Sequence, residues 1–118
     1  MLSNFKVFQV AKNFHWACKG LKVSSFLRDQ LLRASASIAL NVAEGSGKKT
    51  AREQSRYYNI SLGSLRECQA ILELERVEDP ALTDMADQLG AMLFSLSRLK
   101  TELKLQTETA TETDRAER

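Results

Sequence analysis

The sequence predicts an all-α protein, an antiparallel up-down-up-down four-helix bundle with a disordered C-terminal tail. The 118 residues are 43% hydrophobic and 27% charged, which is typical of a globular domain. One proline and five glycines are too few for the many turns of a β-sandwich. Apolar residues recur instead at steps of three and four along four segments. Short turns between these segments favour antiparallel packing of neighbouring helices.

The first helix is predicted from Ser3 to Cys18, with Gly20 as its C-terminal stop. Its predicted apolar stripe is Phe5, Phe8, Ala11 or Lys12, His15 and Cys18, with Phe14 and Trp16 off that stripe. The second helix is predicted to begin at Ser24 or Ser25, either of which can cap it, and to end at Gly45. Its stripe is Leu27, Leu31, Ala34, Ile38 and Val42.

The third helix has the clearest predicted start, because Thr50 and Glu53 have the spacing of a capping box. Two apolar seams follow. One comprises Tyr58, Ser61, Leu65, Cys68 and Leu72, and the other Tyr57, Ile60, Ser64, Ile71 and Leu74. Together they form an arc wider than one neighbouring helix needs, which indicates contacts beyond the core of a single chain.

The fourth helix is predicted to begin at Asp79 and Pro80, an acidic cap followed by proline at the first helical position. It carries a heptad seam of Leu82, Met85, Leu89, Met92, Leu96, Leu99 and Leu103. After Gln106 no large apolar residue occurs, so this segment cannot bury enough surface to stay ordered. We therefore predict one bundle domain, residues 1–105, and a disordered polar tail, residues 106–118.

Charge is divided unevenly along the chain. Residues 1–56 hold ten basic and three acidic residues, whereas the remainder holds seven basic and twelve acidic residues. This asymmetry predicts a basic surface that meets an acidic partner, most commonly RNA or DNA. Solvated helix faces can produce the same distribution by chance, in which case the basic residues only keep the protein soluble.

The loop between the second and third helices suggests where such a partner could bind. It resembles a phosphate-binding loop of nucleotide hydrolases only in part, since Val42 replaces the first glycine and the loop follows a helix. Its cations could still hold a nucleic-acid phosphate beside the N-terminus of the next helix. The candidate contacts are Arg28, Arg33, Lys48, Lys49, Arg52 and Arg56. A solvated connecting loop is the alternative, because no aromatic residue for base stacking is evident beside it.

Polar residues interrupt the apolar stripe of the second helix. Asn41 and Glu44 occupy positions where a simple bundle would have hydrocarbon, and Glu67 lies on the third helix. We expect these three residues to form a buried or half-buried structural polar layer that fixes helix register, with the carboxylates as hydrogen-bond acceptors and not as catalytic acids.

No catalytic, cofactor or metal site is expected, so an enzyme is disfavoured. His15 is the single histidine, and with Cys18 it supplies too few ligands for structural zinc. No serine lies in a nucleophile elbow. The two cysteines fall within predicted helices, no signal peptide precedes the first helix, and no apolar run approaches the roughly 20 residues that span a bilayer. We expect a reduced cytoplasmic protein that does not enter the membrane.

Two segments resemble a known family. Residues 29–45, D-Q-L-L-R-A-S-A-S-I-A-L-N-V-A-E-G, and residues 57–67, Y-Y-N-I-S-L-G-S-L-R-E, are similar to the bacterial four-helix bundle proteins related to those encoded in 23S ribosomal RNA intervening sequences. The resemblance covers roughly Phe5 to Lys104. Two departures are Ala39, where many members have proline, and a shorter connection between the first two helices.

The resemblance implies a small homo-oligomer, a ring of five. A more distant resemblance links these bundles to the accessory proteins of diversity-generating retroelements, basic barrels that bind nucleic acid and a reverse transcriptase. Because a shared fold does not establish a shared function, this link supports the charge argument by analogy only.

The sequence thus predicts a non-enzymatic, homo-oligomeric nucleic-acid-binding protein. It would contact RNA phosphates through a basic surface with little sequence specificity. The alternative is an oligomeric protein-interaction scaffold that recruits a partner enzyme.

Overall fold

Four α-helices and their connecting turns make up the computed structural model, which describes residues 5–117 and, among them, the side chains of residues 5–98. The helices are α1 (Lys6–Lys19), α2 (Ser25–Ser46), α3 (Ala51–Leu74) and α4 (Pro80–Glu117). The described part of the chain contains no strand. The all-α prediction is therefore confirmed. Residues 106–117 of the predicted disordered tail continue the backbone of α4, and the side chains of this segment lie outside the described part of the chain.

Three predicted capping residues, Gly20, Thr50 and Asp79, lie at helix ends, whereas α1 begins at Lys6 and α2 continues past the predicted end at Gly45 to Ser46. The Gly20 amide donates to the Ala17 carbonyl at 3.2 Å beyond the end of α1. At the start of α3, Thr50 Oγ1 accepts a hydrogen bond from the Glu53 amide at 3.1 Å. At the start of α4, Asp79 Oδ1 accepts from the Leu82 amide at 3.2 Å, and Pro80 is the first helical residue. These residues mark the starts and ends of helices because they satisfy backbone groups that the helix leaves unpaired.

Each helix packs against its neighbours in sequence, and α1 also packs against α4. Between α2 and α3, the Ser37 and Ser64 hydroxyls lie 2.9 Å apart, and Ser61 Oγ donates to the Ile38 carbonyl at 2.9 Å. A later residue on α2 therefore meets an earlier residue on α3, as antiparallel helices require. Between α3 and α4, Ser55 Oγ donates to the Ser97 carbonyl at 3.1 Å. These contacts agree with the up-down-up-down order.

One continuous hydrophobic core lies between the helices. The α2 stripe is buried as predicted from Leu31 to Val42. On α4 the buried residues are Leu82, Ala86, Leu89 and Leu93, while Met85, Met92 and Leu96 pack at the edge of the core. Leu99 and Leu103, the end of the predicted heptad seam, lie outside the described side chains.

The buried face of α1 differs from the predicted stripe. Phe14 is fully buried, together with Val7, Ala11 and Cys18, whereas Phe8 and His15 are only partly buried. The prediction that Phe14 lies off the stripe was wrong, although Trp16 is exposed as expected. Because α1 packs against both α2 and α4, the buried face of α1 includes Phe14.

A polar layer joins α2 and α3, but its members differ from the prediction. Asn41 is half-buried and donates to the carbonyl and hydroxyl oxygens of Ser37 at 2.9 and 3.0 Å. Glu44 and Glu67 are both exposed and do not belong to this layer. Serine hydroxyls fill the role expected of the carboxylates, because burying a charged group costs far more than burying a hydroxyl that has a partner.

Candidate nucleic-acid interface

Four of the six predicted cations lie together at the turn between α2 and α3. Lys49, Arg52 and Arg56 are exposed, and Lys48 is half-buried. We call these four residues the basic end. Arg52 and Arg56 are one helical turn apart on the same face of α3.

Side chains around the turn hold the basic end in place. Gln54 Nε2 donates to the Lys48 carbonyl at 2.9 Å and so ties the turn to the first turn of α3. Gly45 brings the end of α2 close to α3: a Cβ atom at this position would lie 3.0 Å from both Tyr57 Cβ and Tyr58 Cε1. Only glycine permits this approach without a shift of α3, because real side chains do not tolerate such short contacts.

The other two predicted cations lie elsewhere. Arg28 precedes Lys48 by 20 positions, which is about 30 Å along a helix axis. Its guanidinium donates to the carbonyl oxygens of Leu21 at 3.0 Å and Lys19 at 3.1 Å, so it caps the C-terminus of α1. Arg33 is exposed in the middle of α2, about 20 Å from Lys48. Arg28 and Arg33 are thus not part of the basic end.

The fold places an aromatic ring at the basic end, which the sequence did not reveal. The Lys48 Nζ lies 5.2 Å from the centre of the Tyr57 ring, and the Arg56 Cζ lies 6.0 Å from it. Both distances are in the range of cation–π contacts. Lys48 and Tyr57 are nine positions apart, so the contact exists only because the chain turns back between α2 and α3. The signal in the sequence was the adjacency of Arg56 and Tyr57, which alone is too common to be informative.

Glu44 partly neutralises the basic end. Its Oε1 lies 3.3 Å from the Lys48 Nζ, one helical turn earlier. The hydrogen bond that Lys48 donates to Glu44, followed by the electrostatic influence of Tyr57 and Glu44, raises the pKa of Lys48. The ammonium group therefore stays charged across the physiological pH range.

A further cation, Arg98 of α4, lies at the same end of the bundle, since the neighbouring Ser97 carbonyl accepts from Ser55 near the start of α3. Arg98 is exposed, and its Cζ lies 5.7 Å from the centre of the exposed Phe94 ring. Its place on the fourth helix, in the acidic half of the sequence, concealed it from the charge analysis.

The opposite end of the bundle is richer in carboxylates. A shallow groove of about 270 Å³ lies between the end of α3 and the start of α4. Its apolar floor is formed by Leu72, Val77 and Ala86, and its rim includes Glu73 and Asp87. The charge asymmetry of the sequence therefore becomes, in part, a difference between the two ends of the molecule.

His15, Cys18 and Cys68 are buried or half-buried between the helices. His15 Nδ1 lies 2.7 Å from Ser35 Oγ, and burial, followed by the charge of Lys19, lowers its pKa. Burial raises the pKa of Cys18 to about 12, and it also raises the pKa of Cys68, so both thiols stay protonated at neutral pH. Among the described residues, no group of three or more His, Cys, Asp or Glu could hold a metal ion. No helix in the described part of the chain is long and apolar enough to cross a membrane.

Comparisons with known proteins identify the family. Neither the comparison with curated proteins nor the comparison with solved structures returns a match. The family model of the 23S rRNA-intervening sequence protein matches residues 4–102, which include all of α1, α2 and α3 and the part of α4 whose side chains are described. The match agrees with the resemblance of residues 29–45 and 57–67. The chain belongs to the 23S rRNA-intervening sequence protein family.

Proposed function

We propose that this protein is a non-enzymatic, homo-oligomeric nucleic-acid-binding protein that holds RNA phosphates at the basic end. The observation that carries the proposal is the grouping of Lys48, Lys49, Arg52 and Arg56 at one turn. Two of these cations, Lys49 and Arg52, lie beside the N-terminus of α3, where the helix dipole disfavours positive charge. A bound phosphate would relieve that repulsion and accept hydrogen bonds from the same cations.

Little sequence specificity is expected, because lysine and arginine side chains at a surface contact phosphates that are the same in every sequence. The free, buried Cys18 and Cys68 are typical of a reducing compartment, so we place the protein in the cytoplasm.

Salt dependence of RNA binding tests the proposal. Four phosphate contacts to a single strand predict a slope of about −3 in a plot of log affinity against log salt concentration. The variant Lys48→Gln/Lys49→Gln/Arg52→Gln/Arg56→Gln should bind labelled RNA far more weakly and with a shallower slope. The control is Lys12→Gln/Lys19→Gln/Lys22→Gln/Arg76→Gln, which removes the same charge from exposed positions elsewhere. Equal loss in both variants, or wild-type binding that is indifferent to salt, would contradict the proposal.

Homo-oligomer formation is supported by an exposed face shared by α2 and α3. The register set by Ser37 and Ser64 places Leu40 level with Ile60, and these side chains are 67% and 40% exposed. It also places Phe26 level with Leu74, which are 83% and 73% exposed. On each helix, the two exposed apolar residues are 14 positions apart, which is close to four helical turns. Both pairs therefore lie on one face.

A charged pair lies between the two apolar pairs. Arg33 and Glu67 are level with each other and exposed, seven residues from the apolar positions on their own helices. Large apolar groups around opposite charges are suited to contact with a second copy of the chain. In a ring, this surface would meet a different surface of the neighbouring copy. We therefore assign Arg33 to an interface between copies, in keeping with the ring of five that the family resemblance implies.

The groove between α3 and α4 favours a second candidate function, a scaffold that recruits a partner enzyme. Its apolar floor and acidic rim would suit a cationic, partly apolar segment of another protein. Capture from lysate after nuclease digestion distinguishes the two functions. A single stoichiometric protein, retained after digestion and lost in a Thr83→Arg variant that obstructs the groove, would favour the scaffold.

A further inference from the structure

Tyr57 and Tyr58 are adjacent on α3 but have different surroundings. Tyr58 is 3% exposed and belongs to the core, where burial raises the pKa of its hydroxyl. Tyr57 is half-buried at the edge of the α2–α3 contact. Across from it stands Gly45, so α2 presents no side chain to the root of the Tyr57 ring. The ring is thus held by the fold without being enclosed by it.

Cations from two different helices approach this ring. Lys48 comes from the turn after α2, and Arg56 comes from α3 itself. Their charged groups lie over the ring, 5.2 and 6.0 Å from its centre. A base that stacks on the ring must therefore displace one of these cations, which is then free to contact the phosphate. A nucleotide carries its phosphate on one side of the sugar and its base on the other, so a site that takes both needs cations and a flat apolar surface close together. Lys48, Arg56 and Tyr57 supply this combination.

We propose that Tyr57 stacks on an unpaired nucleobase, so that the basic end binds single-stranded nucleic acid in preference to a duplex. The inference rests on the proposed function and specifies its ligand. Phosphate contacts alone do not distinguish a single strand from a duplex. An aromatic ring does, because the bases inside a duplex are already stacked and paired and cannot stack on the ring. Every base offers a flat face, so this contact keeps the low sequence specificity of the proposed function.

Three RNA probes of the same length, about 12 nucleotides, separate stacking from phosphate contacts. They are a single-stranded oligouridylate, the same strand without bases, and a duplex. The wild type should bind the base-bearing strand about 5- to 100-fold more tightly than the abasic strand. Tyr57→Leu should remove this difference and leave the affinities for the abasic strand and the duplex unchanged. Tyr57→Phe should behave as the wild type, since it keeps the ring.

Trp16→Leu is the matched control, because Trp16 is 70% exposed and has Lys19 at 6.0 Å but lies on α1, away from the basic end. This variant should bind all three probes as the wild type does. If Trp16→Leu loses as much affinity for the single strand as Tyr57→Leu, the assignment of the site is overturned.

The affinities of the wild type for the three probes also test the role of Tyr57. The test therefore does not depend on the folding of Tyr57→Leu. Equal binding of the abasic and base-bearing strands, both sensitive to salt, overturns the role of Tyr57 but leaves the proposed function intact. Failure of the wild type to bind any of the three probes at low salt overturns the proposed function together with the inference.

Discussion

Gly45 and Gly63 are both helical glycines, but their surroundings are opposite. A Cβ atom at Gly45 would lie 3.0 Å from Tyr57 Cβ, whereas nothing lies within 4 Å of a Cβ atom at Gly63. Alanine at Gly63 should raise the free energy of unfolding by about 0.5–1 kcal/mol, because alanine is the better helix former. Alanine at Gly45 should lower it by about 1–2 kcal/mol, because overpacking outweighs that gain.

Urea denaturation of the two variants checks this pair of predictions, with Gly63→Ala as the control for helix propensity. Stabilisation of similar size in both variants would show that α2 and α3 can separate at Gly45 without cost. It would also show that the close approach of α2 to Tyr57 does not depend on glycine.

Glu44 competes with phosphates for Lys48. Its carboxylate is 3.3 Å from the ammonium group, so a bound phosphate must share that cation or displace the carboxylate. Glu44→Gln should therefore strengthen RNA binding by about two- to fivefold at low salt, with the gain reduced as salt screens the charges. Asp84→Asn, which removes one exposed charge near the start of α4 at the other end of the bundle, should have a smaller effect. Fluorescence titration of labelled RNA measures both variants, and equal gains would indicate a general effect of net charge.

At the scale of the helix, the ends were predictable and the faces were less so. Thr50 and Asp79 act on amides three residues away, so the sequence contains the whole interaction. The face of α1 that is buried depends on where α2 and α4 lie, and this is why Phe14 was misplaced. The grouping of Lys48 with Tyr57 depends in the same way on the packing of two helices.

The contact between α2 and α3 also changes which residue is expected to fix register. The hydrogen bonds of Asn41 to Ser37 stay within α2. The bonds that cross to the next helix belong to serines, and Ser61 Oγ, which is fully buried, donates to the Ile38 carbonyl. The serine contacts, and not Asn41, therefore link the register of α2 to that of α3.

Two variants compare these contributions by urea denaturation. Ser61→Ala should lower the free energy of unfolding by about 1 kcal/mol, the usual worth of one buried hydrogen bond. Asn41→Leu should change it by less than about 0.5 kcal/mol, because the side chain is partly exposed and bonds only to its own helix. A larger loss for Asn41→Leu than for Ser61→Ala would return the register role to Asn41.

For the whole molecule, assembly tests the exposed face of α2 and α3. Light scattering should give a mass several times that of the 13.3 kDa chain at micromolar concentration. Leu40→Lys/Ile60→Lys should reduce the mass toward that of one chain, because two buried charges would oppose the apolar contact. Trp16→Lys, on the exposed face of α1, should leave the mass unchanged. A wild-type mass equal to one chain would contradict the proposed assembly.

The whole-molecule charge pattern was only partly foreseen. The basic first half of the sequence pointed to six cations, and folding brings four of them to one turn. Arg28 closes the turn after α1, and Arg98, from the acidic half of the sequence, lies at the same end of the bundle as the basic end. Net charge along a chain is a property of composition, whereas a binding surface depends on which helix ends coincide in space.

The location of the basic end at one tip of the bundle has a consequence for any ring with cyclic symmetry. Rotation about a single axis keeps equivalent tips at the same height, so every copy would present its cations and its Tyr57 on one rim. A long strand could then touch several protomers at once, and linked contacts of this kind can exceed the strength of one contact by about 10²–10⁴. Affinity would rise steeply with strand length, up to the length that reaches around the rim.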